Sequence, residues 1–251
     1  MCKQKLNTMK KIHIILLATL MMTTACAQKT SKDTFYTHSG KKVVLTAIKH
    51  ASIEINYNGL EIEVDPVGEL APETNYRHFP KADFILITHE HNDHLDAQAV
   101  AELEKKGTVI VTNQNSERIL GKGEVMKNGD HLQLAPDIQL DAVPAYNITP
   151  GHTQYHPKGR DNGFILTLDG LRIYIAGDTE DIKEMENVKD IDIAFLPTNQ
   201  PFTMTPAQTV KVARLIRPKV LFPYHYSDTK IDEVSRQLKG SGIDVRIRNY
   251  Q

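Results

Sequence analysis

The stretch Thr88-His89-Glu90-His91-Asn92-Asp93-His94 sets three imidazoles and the Asp93 carboxylate within six positions, directly after the apolar run Phe84-Ile85-Leu86-Ile87. An apolar run of that length reads as a buried strand, and the polar residues behind it fall on the turn where a strand hands over to a helix. His89 and His91 then point one way, and Asp93 and His94 the other. That divides the ligands between two adjacent cations, and neutral imidazole with carboxylate suits zinc or a similar first-row metal.

Working outward, other strand ends carry single polar residues. Gly177-Asp178-Thr179 follows Leu171 to Ala176, and His225 follows Val220-Leu221-Phe222-Pro223-Tyr224. Taken alone, Gly-Asp-Thr is good turn chemistry, and a histidine between tyrosines fits a core. His225 is nevertheless the sole histidine after Asp178.

Between these lie the remaining elements. Ile53 to Tyr57, the turn Asn58-Gly59 and Leu60 to Val64 alternate as a half-buried hairpin. Further strands are expected at 109–111, 138–145, 163–167, 171–176, 191–196 and 220–224. Helices are expected at 97–105, at 206–216 with Pro206 in its first turn, and at 231–238.

The ordered set His89, His91, Asp93, His94, Asp178 and His225 resembles the metallo-β-lactamase superfamily, over roughly Val43 to Arg248. The resemblance implies an α/β fold, an αββα sandwich of two mixed β-sheets with helices on the outer faces. It also implies that Asp178 bridges two divalent metal ions, zinc first, with manganese or iron as other occupants, and that His225 closes the ligand set.

The middle ligand departs from the pattern. Relatives such as the N-acyl-phosphatidylethanolamine phospholipase D family end a strand with Pro-Ala-x-His, where this chain has Pro144-Ala145-Tyr146-Asn147. Two histidines offer a replacement. His152, in Thr149-Pro150-Gly151-His152, is similar to a hydroxyacylglutathione hydrolase motif, and His156, in His156-Pro157-Lys158-Gly159, to that of uncharacterised bacterial and archaeal members. His156 is preferred over His152; a third reading leaves the position to water or Asn147.

His50 in Lys49-His50-Ala51-Ser52 and Asp65 in Val64-Asp65-Pro66 resemble motifs that flank the site in ascorbate-6-phosphate lactonase-like members, although Lys49 replaces a glycine. Asp65 is of the type that fixes a ligating histidine's tautomer; a turn aspartate and a surface histidine are the alternative readings. Lys158 and Arg160 read as a solvated basic loop, or as an attraction for an anionic substrate. His38, His78 and His131 receive no role.

The N-terminal part reads as a targeting segment. Met9-Lys10-Lys11, the apolar stretch Ile12 to Met22 and Thr23-Thr24-Ala25-Cys26 form a basic start, a short hydrophobic region and small residues before a cysteine. This resembles a bacterial lipoprotein signal, which implies cleavage after residue 25 and a lipid anchor on Cys26. The expected organisation is a signal over 1–25, a polar tether over 26–40 and one domain over 41–251. The product would be exported and membrane-anchored, facing the periplasm or cell surface.

The two cysteines are Cys2 and Cys26, so no disulfide framework or thiolate site is available to the domain. The net charge of −1 provides no basic stripe for a phosphate backbone, which argues against nucleic acid as substrate. The expected activity is attack by a metal-activated water on a small ester, lactone or phosphodiester, with Asp93 orienting or deprotonating that water. The alternative is a non-enzymatic metal- or partner-binding lipoprotein on the same scaffold.

Overall fold

The computed structural model describes residues 31–70 and 73–250; the signal segment and Cys26 lie outside them. The first half contributes β1 (Ser31–Tyr36), β2 (Lys42–Lys49), β3 (Ser52–Tyr57), β4 (Leu60–Val64), β5 (Phe84–Leu86), α1 (Ala97–Leu103), β6 (Val109–Thr112), α2 (Gln114–Leu120) and β7 (Glu124–Val125). The second contributes β8 (His131–Ala135), β9 (Ile138–Ala145), β10 (Asp161–Leu168), β11 (Leu171–Ile175), β12 (Ile193–Pro197), α3 (Pro206–Ile216), β13 (Val220–Tyr224), α4 (Asp232–Gln237) and β14 (Asp244–Val245).

Each half builds one seven-stranded sheet with its strands side by side in chain order. The two sheets repeat one plan. Four antiparallel strands, β1 to β4 or β8 to β11, are followed by three added in parallel. Both are therefore mixed sheets, as the αββα expectation requires. Parallel strands need crossovers, and these supply the helices.

β5 shows how the layers form. Phe84 and Leu86 join the large core shared by both sheets, whereas Ile85 and Ile87 join a second cluster with Ala99, Val100 and Leu103 of α1. A strand buried on both faces reads as unbroken apolar sequence because both sides of its period-2 alternation are covered. The helices start where the sequence caps them. Asp96 accepts from the amides of Gln98 and Ala99 at α1, and Thr205 with Gln208 forms a capping box ahead of Pro206 at α3.

Residues 31–36, expected within a polar tether, form β1 instead. The strand pairs along β2 from Ser31↔Ala47 to Tyr36↔Lys42. Its polar sequence is held by Asp33, which accepts from Arg246 and Arg248, and by Phe35, edge-on to Phe222 at 6.4 Å. β2, α2, β7, β8 and β14 likewise have no counterpart among the expected elements. The functional positions lie together: Asp65 follows β4, Thr88 to His94 follow β5, Asp178 follows β11 and His225 follows β13. Carboxyl ends of strands are where open α/β sheets place their sites.

Candidate metal centre

Asp178 is positioned by its neighbour. Gly177 has φ +63°, and a Cβ there would lie 2.6 Å from the Asn162 carbonyl oxygen, so only glycine permits this turn. The Gly177 amide donates to the Tyr224 hydroxyl at 3.0 Å, tying the turn to β13. The Asp178 carboxylate is thereby buried between two sets of imidazoles. Its Oδ1 faces His94 Nε2 at 3.3 Å, and its Oδ2 faces His156 Nε2 at 3.3 Å and His225 Nε2 at 3.2 Å.

On one side, His89 Nε2 lies 3.1 Å from His91 Nδ1, which lies 3.2 Å from His156 Nε2. The outer nitrogens fix the rings: His156 Nδ1 donates to the Phe202 carbonyl oxygen at 3.1 Å, and His89 Nδ1 meets Thr88 Oγ1 at 3.0 Å. On the other side stand Asp93, His94 and His225, with His225 Nε2 3.6 Å from Asp93 Oδ2. Asp65 is fully buried, accepts from the Thr88 amide at 2.8 Å and its hydroxyl at 2.7 Å, and faces His94 Nδ1 at 2.9 Å. It thus turns His94 Nε2 toward Asp178, the orienting role that a carboxylate gives a ligating imidazole.

Whether these residues suit a cation is answered by their unmet valences. His94 Nε2, Asp178 Oδ1 and His225 Nε2 are buried and have no hydrogen-bond partner among the described residues. Buried polar atoms are ordinarily paired, and leaving one unpaired costs about 1–3 kcal/mol. His89 Nε2 and His156 Nε2 both converge on His91 Nδ1, at 3.1 and 3.2 Å. Two nitrogens about 2.05 Å from a tetrahedral zinc are roughly 3.3 Å apart, close to the observed separations. The donor set of imidazoles and carboxylates therefore fits a divalent first-row metal.

The charges of the metal-free cluster follow from burial against pairing. Burial opposes ionisation of Asp178, yet the imidazolium charges of His225 and His94 prevail and hold it well below the carboxylate range. His225 reverses likewise: burial disfavours its charge, but Asp178 and Asp93 push it up to about 9. His94 is raised by Asp178 and Asp65 in the same way. Burial instead dominates at His156, lowered to about 4, and at His89, so these two are neutral and ready to ligate.

His50 lies at the rim, with Nε2 3.1 Å from Asp93 Oδ2 and its ring 3.7 Å from that of His225. His152 is not brought into the cluster; its Nδ1 faces Glu180 Oε1 at 3.3 Å. Asn147 is buried beside it and donates from Nδ2 to the Phe202 carbonyl oxygen at 2.8 Å. Lys158 is paired with Glu184, and Arg160 with Asp161 and Glu90. Sequence reasoning missed Thr88 and Phe202. Thr88 adjoins the motif and offers a hydroxyl, a usable signal; Phe202 acts through its backbone and gives none.

A cavity of about 420 Å³ opens over the cluster, lined by His91, Asp93, Tyr155, Phe202, Asn199 and His225 among others. A neighbouring cavity of about 450 Å³ shares His50, Asn92, Asp93 and Ser227 with it, so the cleft continues past Asp93.

Residues 44–225 match the family model described as a beta-lactamase superfamily domain. A UPF0173 metal-dependent hydrolase of Archaeoglobus fulgidus is 30% identical over 181 residues, 66% of this chain and 78% of that protein. Another, of Ligilactobacillus salivarius, is 33% identical over 186 residues, 71% of this chain and 82% of that protein. Among solved structures, one from Parabacteroides distasonis, described as a candidate metal-dependent hydrolase, has 57% identity and a TM-score of 0.85, covering 88% of this chain and 100% of that one. Igni18, a metallo hydrolase of Ignicoccus hospitalis, has 25% identity and a TM-score of 0.69, covering 82% of this chain and 95% of that one. A fold with two mixed sheets, a His/Asp cluster at their strand ends and these matches converge: the chain belongs to the beta-lactamase superfamily, and within it to the UPF0173 metal-dependent hydrolases.

Proposed function

We propose that the protein is a dinuclear metal hydrolase acting on a small-molecule ester, lactone or phosphodiester. The observation that carries this reading is Asp178, whose two oxygens face different imidazoles, Oδ1 toward His94 and Oδ2 toward His156 and His225. His89, His91 and His156 would hold one cation, Asp93, His94 and His225 the other, with Asp178 shared. Bound there, two zinc ions would supply an activated water and charge to offset the oxyanion.

The chain's own residues do the rest. Asp93 is held below the usual carboxylate range: burial opposes this, but the facing His225 imidazole and the hydrogen bond with His50 outweigh it. It therefore stays ionised at neutral pH. Partly exposed to the cavity, it would orient the attacking water by accepting its hydrogen bond. Asp65 keeps His94 in one tautomer.

Metal analysis of the purified protein tests this together with turnover on lactone, ester and phosphodiester panels. Two equivalents of metal and metal-dependent turnover are expected. One equivalent or none, with no turnover after reloading, would refute the reading. The segment ending Thr24-Ala25-Cys26 further supports export as a lipoprotein anchored through Cys26, facing the periplasm or cell surface. Mass spectrometry of protein from the membrane fraction should find an acylated N-terminal Cys26; a soluble chain still carrying Met9 would rule this out.

A further inference from the structure

Resting on that hydrolase reading, we infer that the substrate is an uncharged carbonyl compound, an ester or lactone, with an aromatic group packed against Phe202 and Tyr155. Phe202 is 40% exposed, yet it lines the cavity over the His/Asp cluster. Its ring meets that of Tyr155 edge-on, centroids 4.9 Å apart. Such a wall favours a further ring, by offset stacking or an edge contact.

The wall is set before any ligand arrives. The Phe202 amide donates to the Asn199 carbonyl at 3.0 Å, and its own carbonyl oxygen accepts from Asn147 and His156. The Tyr155 amide donates to the His152 carbonyl at 3.0 Å. An aromatic surface held by backbone bonds loses little freedom when it is covered, which makes it an efficient contact. The contact that orients His156 also places the Phe202 ring, so the recognition surface keeps a fixed distance from the cluster.

The charge of the cavity narrows the class. Among the described residues no lysine or arginine lines it. Arg160 lies behind His91 and is engaged by Asp161, Glu90 and the Tyr155 carbonyl. Lys49 lines only the neighbouring cavity and turns its ammonium to the carbonyls of Leu70 and Gly68. Sites built for phosphate usually add guanidinium or ammonium groups to whatever metal is present. Here Asn199 and Ser227 stand in that position, bonded to each other at 3.2 Å, and such groups suit a neutral carbonyl compound. Hydrolysis would join water oxygen to the carbonyl carbon, break the acyl C–O bond and pass one water proton to the departing alkoxide, giving an acid and an alcohol without redox change.

The test is calorimetric binding of phenylacetate, acetate and inorganic phosphate to the zinc-loaded protein, with parallel kcat/KM values for dihydrocoumarin, γ-butyrolactone and bis(p-nitrophenyl) phosphate. Phenylacetate should bind about tenfold more tightly than either other anion. Phe202→Ala keeps the carbonyl that orients His156, so it should retain the parent's zinc content while this preference falls to within about twofold. Tighter binding of phosphate than of phenylacetate, or a preference untouched in Phe202→Ala, overturns the inference, as does faster turnover of the phosphodiester than of dihydrocoumarin. Binding does not depend on turnover. The expected preference without hydrolysis of any substrate would therefore sink the hydrolase reading and leave the aromatic ligand class supported.

Discussion

Asn147 and His156 share one acceptor: the carbonyl oxygen of Phe202 takes hydrogen bonds from Asn147 Nδ2 at 2.8 Å and from His156 Nδ1 at 3.1 Å. The Asn147 amide also donates to the His156 carbonyl at 2.8 Å. The residue standing where relatives carry a histidine thus holds the loop that returns one.

From this arrangement His156→Ala should lose one equivalent of metal and most activity. Asn147→Ala should keep both equivalents but weaken one by about 10- to 100-fold, as expected when a group supporting a ligand is removed. His152→Ala, which breaks only the contact with Glu180, should leave metal content intact. Competition with a chelator reads all three. Metal loss in His152→Ala but not in His156→Ala would assign the ligand to the other histidine.

Asp178→Ala removes the carboxylate that faces both sides of the cluster. Metal content should fall by at least one equivalent, with activity below about 1% of the parent, because the proposed dinuclear site would act as a unit. Circular dichroism should still report the parent fold, since Gly177 and its bond to Tyr224 remain. Unchanged metal content would make Asp178 a turn residue only.

The legibility of this site in the sequence depended on how its parts are held. His89 to His94 could be read because the side chains that carry the chemistry are contiguous and follow an apolar strand. Asp178 and His225 could be located because each closes a strand whose apolar pattern is clear. The choice between His152 and His156 rests on backbone carbonyls of His156 and Phe202, which no residue type announces. β1 was hidden for a related reason: its alternation is polar, and the partners of Asp33 are more than two hundred positions away.

The raised pKa values of His94 and His225 give metal uptake a pH dependence. In the metal-free protein His225 titrates at about 9, above its ordinary value of 6.5, and His94 is also raised. Near pH 7 both carry protons that a cation must displace. Protons should therefore be released on zinc binding at pH 7, and zinc affinity should climb as pH rises toward 9. The metal-free fold changes in the opposite sense. Its stabilisation by these imidazolium pairs is fully present below about pH 6.5 and is lost as pH rises through about 9. Zinc titrations in buffers of different ionisation enthalpy count the protons; a count of zero at pH 7 would contradict the charge assignment.

The last expectation concerns Asp33, which ties β1 to the end of the chain. Its carboxylate is largely covered and accepts from Arg246 Nη1 at 2.9 Å, Arg248 Nε at 2.7 Å and Arg248 Nη2 at 2.7 Å. Burial raises its pKa, but these bonds outweigh burial and lower it overall, so it is ionised in the folded protein near neutrality. Asp33→Ala leaves two guanidinium groups beside Phe35 and Phe222 without their common partner. Removing one member of a partly buried charge cluster should cost about 2 kcal/mol, less than the 3–5 kcal/mol of a fully buried pair because both arginines retain some solvent. Lys32→Ala, on an exposed position of the same strand, should stay within about 0.5 kcal/mol. Urea midpoints of the two variants make the comparison, and equal midpoints would return residues 31–36 to the status of a tether laid on the domain.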